Sequence, residues 1–146
     1  MDIDYLKRAE EWNDRAKTEK DLFVKFILLF ISLEVLVGLK ELGKVWRLKS
    51  QPTLLKSLKM IDRGELITTL KIEPLRNEDP EGDQRWDGVI RGTEDWDGFV
   101  DFLVRARNNL FHGDKGLNSK RDLFVVAWGN KLLAPLVQEL ITQTKK

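Results

Sequence analysis

The residues best equipped for chemistry sit together in Arg105-Ala106-Arg107-Asn108-Asn109-Leu110-Phe111-His112-Gly113. His112 is the single histidine of the chain, and it lies close in sequence to two arginines and two asparagines. An imidazole exchanges protons near neutral pH, while a guanidinium keeps its charge and forks onto phosphate oxygens. Together they suit chemistry at a phosphodiester. A plainer reading uses the same residues: a histidine in the last turn before a glycine bonds the free carbonyls and stops a helix. Spacing alone does not separate the two.

The elements that must carry this stretch read as helices. Thr93 is a plausible N-cap, with Glu94, Asp95 and Asp97 in an acidic first turn. The helix it opens runs to Phe111 or His112, with Phe99, Phe102, Leu103, Ala106 and Leu110 as its core stripe. Val100, Val104 and Phe111 form a second apolar stripe, which fits either a partner chain or a second layer of internal core. Upstream, Asp4 to Lys20 places Tyr5, Ala9, Trp12 and Ala16 at helical spacing. Asp21 precedes a long apolar run that reads as a second helix to about Leu42, ended by Gly43. Pro52 suits the first turn of a third helix carrying Leu54, Leu55, Leu58 and Ile61, broken at Gly64 and briefly continued by Leu66, Ile67 and Leu70.

From Glu73 to Gly92 periodicity dissolves among Pro74, Pro80, Gly82 and Gly88, which marks a loop. After the histidine, Asn118 or Ser119 caps a last helical region. Leu123, Val126 and Ala127 face inward there, and Leu136, Val137, Leu140 and Ile141 follow beyond Gly129 and Pro135, which should kink or split it. No stretch alternates like a strand. The expectation is an all-α, up-and-down bundle of four to five helices, one domain spanning residues 1–146.

Bulk properties narrow the chemistry. The 146 residues are 42% hydrophobic and 34% charged with a formal net charge of +1, so no global field draws polyanions and any nucleic-acid surface is local. The absence of cysteine removes disulfides, thiolate zinc sites and a cysteine nucleophile. One histidine, outside any HExxH-like spacing, argues against a histidine metal site, and no cofactor is expected. The acidic, polar start Met1-Asp2-Ile3-Asp4 does not resemble a signal peptide, which points to the cytoplasm. Leu22 to Leu39 is nearly long enough to span a bilayer, but Lys25 and Glu34 interrupt it, so it reads as a buried central helix.

Charge is uneven. Lys40 to Arg63 carries seven basic residues against two acids, and Glu73 to Asp101 carries three against ten. Around the histidine, Arg105, Lys115, Lys120 and Arg121 are candidates for RNA-backbone contacts, with ordinary solvent-facing charges as the alternative. Trp86 and Trp96 can stack unpaired bases or simply pack.

Arg107-Asn108-Asn109-Leu110-Phe111-His112 resembles the signature of the HEPN superfamily, an arginine and a histidine separated by four to six residues, here four. The helix order of the chain is similar as well, with the motif late on a long helix, another helix after it and a strongly apolar helix before. The resemblance implies a metal-independent endoribonuclease, commonly a homodimer whose two motifs face one cleft. It also implies a toxin or phage-defence role, sometimes with a nucleotidyltransferase antitoxin from a neighbouring gene. Arg107 and His112 would be the catalytic pair, and Asn108 matches the polar residue that often follows the arginine. One departure concerns silencing: members controlled by adenylylation carry a tyrosine two places after the histidine, where this chain has Asp114.

The residues allow that chemistry. A histidine, with a reference pKa of ~6.5, can take the 2′-hydroxyl proton or protonate the leaving oxygen, a contribution of roughly 10²–10⁴ in rate. Arg107 can offset the developing phosphorane charge. On an unbroken helix Asn108 and His112 are one turn apart, so Asn108 can orient the imidazole; a surface role fits it equally. One proton shuttle per chain leaves the other end of the reaction unattended, which argues for a two-fold dimer. The competing expectation is a non-catalytic RNA- or nucleotide-binding or dimerisation module.

Overall fold

The computed structural model describes residues 3–37, 58–78, 85–111 and 119–145. These residues form an all-helical bundle, and among them are five helices: α1 (Ile3–Thr18), α2 (Leu22–Val37), α3 (Gly64–Ile72), α4 (Trp96–Phe111) and α5 (Lys120–Lys145). Among the described residues there is no strand, and no helix is long and apolar enough to cross a membrane.

Three residues join α1 to α2, and a connection that short folds two helices back to back. The antiparallel register is visible where the Ser32 hydroxyl, fully buried, donates to the Ala9 carbonyl at 2.7 Å. Asp21 starts α2 by accepting from the amides of Phe23 (2.9 Å) and Val24 (3.2 Å), two donors that a helix start otherwise leaves without partners. The apolar composition of α2 has the expected consequence: Phe23, Phe26, Leu28, Leu29, Phe30, Leu33 and Leu36 are all buried. Helix α5 closes the other side, meeting α1, α2 and α4. It runs antiparallel to α1, with Asn13 donating to Gln138 and, toward the α1 start, Lys145 paired with Glu10 at 3.2 Å.

Two expectations about helix ends change. The cap of α4 is Asp95 rather than Thr93. One Asp95 oxygen accepts from the Gly98 amide at 3.0 Å, the other from the Arg91 amide at 2.9 Å, and its carbonyl receives the first helical bond from Phe99. The acidic run offers several capping residues, and only the path of the chain selects among them. Helix α5 also continues unbroken through Gly129 and Pro135. An interior proline costs ~3 kcal/mol, but Leu132, Leu133, Leu136, Val137 and Ile141 are buried on both sides of it. At roughly 1.5–3 kcal/mol per buried aliphatic side chain, packing exceeds that cost. Gly129 is needed for a different reason, since a Cβ there would lie 2.4 Å from Cε2 of the fully buried Phe26.

Ser119 caps α5 as expected, its hydroxyl accepting from the Asp122 amide. The break at Gly64 is the start of α3, whose Leu66, Ile67 and Leu70 are buried. The end of α2 near Leu42 and most of the helix expected after Pro52 lie outside the described residues. Residues 73–78 and 85–92 carry no helix or strand, in keeping with a loop.

Candidate functional site

Helix α4 presents different residues to different neighbours. Its inward face buries Phe99, Val100, Phe102, Leu103 and Ala106. Arg107, one residue past this face, reaches α2. Its Nη2 lies 3.4 Å from Oε1 of Glu34, its guanidinium carbon lies 5.9 Å from the Phe30 ring centre, and its Nη1 donates to Oδ1 of Asn108 at 3.2 Å. The Arg107 side chain remains 36% exposed while that of Glu34 is 16% exposed, so the cation is oriented by a largely covered carboxylate. His112 and Lys115 lie outside the described residues, as does the side chain of Phe111, so the relation of Arg107 to the histidine rests on their spacing in sequence.

Glu34 is the site residue that charge patterning overlooked, because it registered only as an interruption of an apolar helix. The signal was available: a carboxylate inside such a helix needs a cation or hydrogen-bond donors to offset its desolvation.

Arg105 does other work. It is 7% exposed, donates from Nη1 to the Leu75 carbonyl at 3.1 Å, and stacks its guanidinium 4.9 Å from the Trp86 ring centre. A side chain so enclosed does not present its charge to RNA, which corrects the expectation of a backbone contact. Trp86 packs rather than stands ready to stack bases, with its indole N–H donating to the Val89 carbonyl at 3.0 Å. Trp96 likewise packs on Phe99, with the Arg63 guanidinium 5.1 Å from its ring.

Asn109, 3% exposed, completes the clamp on the loop: Oδ1 accepts from the Glu78 amide at 3.0 Å and Nδ2 donates to the Arg76 carbonyl at 2.9 Å. Arg121 holds the loop from α5, donating from Nη2 to the Glu73 carbonyl at 2.6 Å with the Glu73 carboxylate 3.9 Å from Nη1. Its charge is thus partly committed within the chain. Lys120 is exposed. Leu75 is gripped from behind too, its amide donating to the Gly88 carbonyl at 3.0 Å. Gly88 has φ 86°, and a Cβ there would lie 2.4 Å from the Leu75 carbonyl oxygen. Only glycine fits that approach.

These clamps hold residues 73–78 across the ends of α4 and α5 and leave a cleft of about 320 Å³. Phe23, Leu75, Ala106, Leu110, Val125 and Val126 supply apolar lining, and Arg76, Glu78, Asn109 and Arg121 are among the polar residues.

The second stripe of α4 divides. Val100 is 1% exposed and belongs to the interior of this chain, the internal-core alternative rather than a partner-facing surface. Val104 is half-buried and packs on the same core. The periodicity could not tell these apart, because α4 is covered on more than one side.

Among the described residues, no group of three histidine, cysteine or acidic side chains is placed to hold a metal ion. No protein-family model, curated protein or solved structure matches this chain.

Proposed function

We propose that this chain is a metal-independent endoribonuclease of the HEPN type, acting in the cytoplasm as a homodimer in a toxin or phage-defence role. The observation that carries the reading is the state of Arg107: held by Glu34 and Asn108, yet more than a third exposed at the end of the motif helix. A preorganised guanidinium stabilises charge that develops at phosphorus without reorganising first. The all-helical bundle and the arginine-to-histidine spacing support the same reading.

In this mechanism His112 takes the proton from the ribose 2′-hydroxyl, and the freed O2′ attacks phosphorus. The bond from phosphorus to the 5′-oxygen breaks, and the 5′-oxygen takes a proton from His112 of the partner subunit. The products are a 2′,3′-cyclic phosphate and a 5′-hydroxyl, and DNA, lacking the nucleophile, is not cut. An antitoxin such as a nucleotidyltransferase fits such a role, although Asp114 stands where an adenylylated tyrosine would be.

A second reading has an observation of its own. The Glu34–Arg107 pair joins α2 to α4 and matches the charge of Arg107 within the chain, as a non-catalytic RNA- or nucleotide-binding or dimerisation module would allow. Incubation with total RNA in chelator, alongside melting curves, separates the two. The nuclease reading expects cleavage that His112→Ala and Arg107→Ala each abolish while the melting temperature stays within a few degrees. The second reading expects no cleavage, and Arg107→Ala and Glu34→Ala that lower stability alike.

A further inference from the structure

Phe30 and Glu34 are about one turn apart on α2, and together they receive a single side chain of α4. The Glu34 carboxylate stands 3.4 Å from Nη2 of Arg107, and the Phe30 ring centre lies 5.9 Å from the guanidinium carbon. On the other side, Oδ1 of Asn108 accepts from Nη1 at 3.2 Å. The amide oxygen that helix spacing pairs with His112 is thus engaged by the arginine. A cation met by a carboxylate, a ring and an amide oxygen keeps little rotational freedom.

Stability does not account for this pair. Lys25 and Glu34 are the only charged residues among the 16 of α2. Covering a carboxylate there costs free energy, and a covered ion pair typically returns no more than apolar side chains of the same size. The 3.4 Å separation is also longer than the roughly 2.7–2.9 Å of a charge-assisted hydrogen bond. Exposure is unequal as well, since the carboxylate is the more covered member. A contact that is costly to bury and loose in distance, but restrictive in direction, fits the aiming of a cation. We propose that Glu34 is a positioning residue, which holds the Arg107 guanidinium in the orientation that meets the phosphorane charge and takes no part in proton transfer. Its effect on cleavage rests on the nuclease reading; the restraint on the guanidinium does not.

The test compares two variants of the intact protein: Glu34→Gln, which keeps the shape and one acceptor oxygen but removes the charge, and Glu34→Leu, which removes both. Cleavage of an RNA oligonucleotide in chelator is expected to show kcat lowered about tenfold in Glu34→Gln and about a hundredfold in Glu34→Leu, with KM within about threefold of the parent. Melting temperatures are expected to stay within a few degrees, because an apolar side chain suits α2 at that position. Carbon-detected spectra of guanidinium-labelled arginine give a readout that does not depend on activity. Separate Nη1 and Nη2 signals are expected for Arg107 in the parent, merging in Glu34→Leu as rotation about the Nε–Cζ bond is freed. Signals that stay separate in Glu34→Leu, kcat within about twofold of the parent, or a loss carried by KM alone overturns the assignment. So does a loss of activity that follows a fall in melting temperature in both variants. A parent that does not cut RNA, with signals that merge in Glu34→Leu, removes the nuclease reading and leaves Glu34 as the residue that orients Arg107.

Discussion

Asn108 and Asn109 are neighbours of one residue type on one helix, and the structure assigns them opposite weights. Asn109 is 3% exposed and makes two bonds to the loop backbone at 3.0 and 2.9 Å, whereas Asn108 accepts one from Arg107 at 3.2 Å, at a half-exposed site. Replacing either by alanine adds about 0.6 kcal/mol of helix propensity, and this gain cancels when the two variants are compared with each other. What remains is the difference in hydrogen bonding. Two bonds at roughly 0.5–1.5 kcal/mol net each give about 1–3 kcal/mol for Asn109. Arg76 and Glu78 are exposed, so water can reach the orphaned loop groups, and the lower half of that range applies. Less about 0.5 kcal/mol for the single bond of Asn108, Asn109→Ala is expected to be about 0.5–1.5 kcal/mol less stable than Asn108→Ala, roughly 2–5 °C in melting temperature for a chain of this size.

Thermal and urea unfolding followed by circular dichroism measure that gap. Hydrogen exchange adds a local readout, with the Glu78 amide losing protection in Asn109→Ala alone. Equal melting temperatures for the two variants, or unchanged protection at Glu78, would refute the claim that Asn109 clamps the loop.

Two further outcomes follow from single contacts. Gly129→Ala gains ~1 kcal/mol of helix propensity but sets a Cβ 2.4 Å from the Phe26 ring, and overpacking costs typically 1–3 kcal/mol. A net loss of about 1 kcal/mol is expected, partly recovered by adding Phe26→Leu; a variant that melts higher than the parent sinks the packing argument. The Asp87 carboxyl is held at about 2, first by its hydrogen bond from Arg91 and then by the Val89 backbone. Because the folded value is depressed, the stability linked to this pair is complete above the ordinary 3.8 and is lost as pH falls through about 2. The carboxyl is exposed, so the stability effect is small and a carbon-detected NMR titration is the better measure. In Arg91→Ala the midpoint should return toward 3.8, and a midpoint that stays near 2 would show that the arginine is not the cause.

Helix content and core faces were legible because they depend on periodicity. Most of the apolar run of α2 is buried, with Leu22 and Val24 exposed near its start, and of the α4 stripe Phe99, Phe102, Leu103 and Ala106 are buried and Leu110 half-buried. Caps were legible in part: Ser119, one of the two residues named for α5, does cap it, while Thr93 lost to Asp95 in an acidic run where several residues could serve. Pro135 misled because a local penalty was weighed without the burial on both sides of it. In the candidate site the arginines were visible but not their duties. Charge type records what a side chain can bind, and the path of residues 73–78 decides what it meets.

That distinction shapes the functional argument. Arg105 and Arg107 are two residues apart, so about 200° separates them around α4, and they face different surroundings. Arg105 is spent inside, on the Leu75 carbonyl and the Trp86 ring. Arg107 is matched by Glu34 but keeps an exposed flank, and Asn109 and Leu110 lie between it and the motif histidine in sequence while lining the cleft. One short stretch of helix thus supplies a clamp on a loop, a wall of the cleft beneath that loop and, on another face, a guanidinium turned toward Glu34 and Phe30 of α2. An arginine oriented by Glu34 on that face, five residues before the motif histidine, makes Arg107→Ala the first variant to test against RNA.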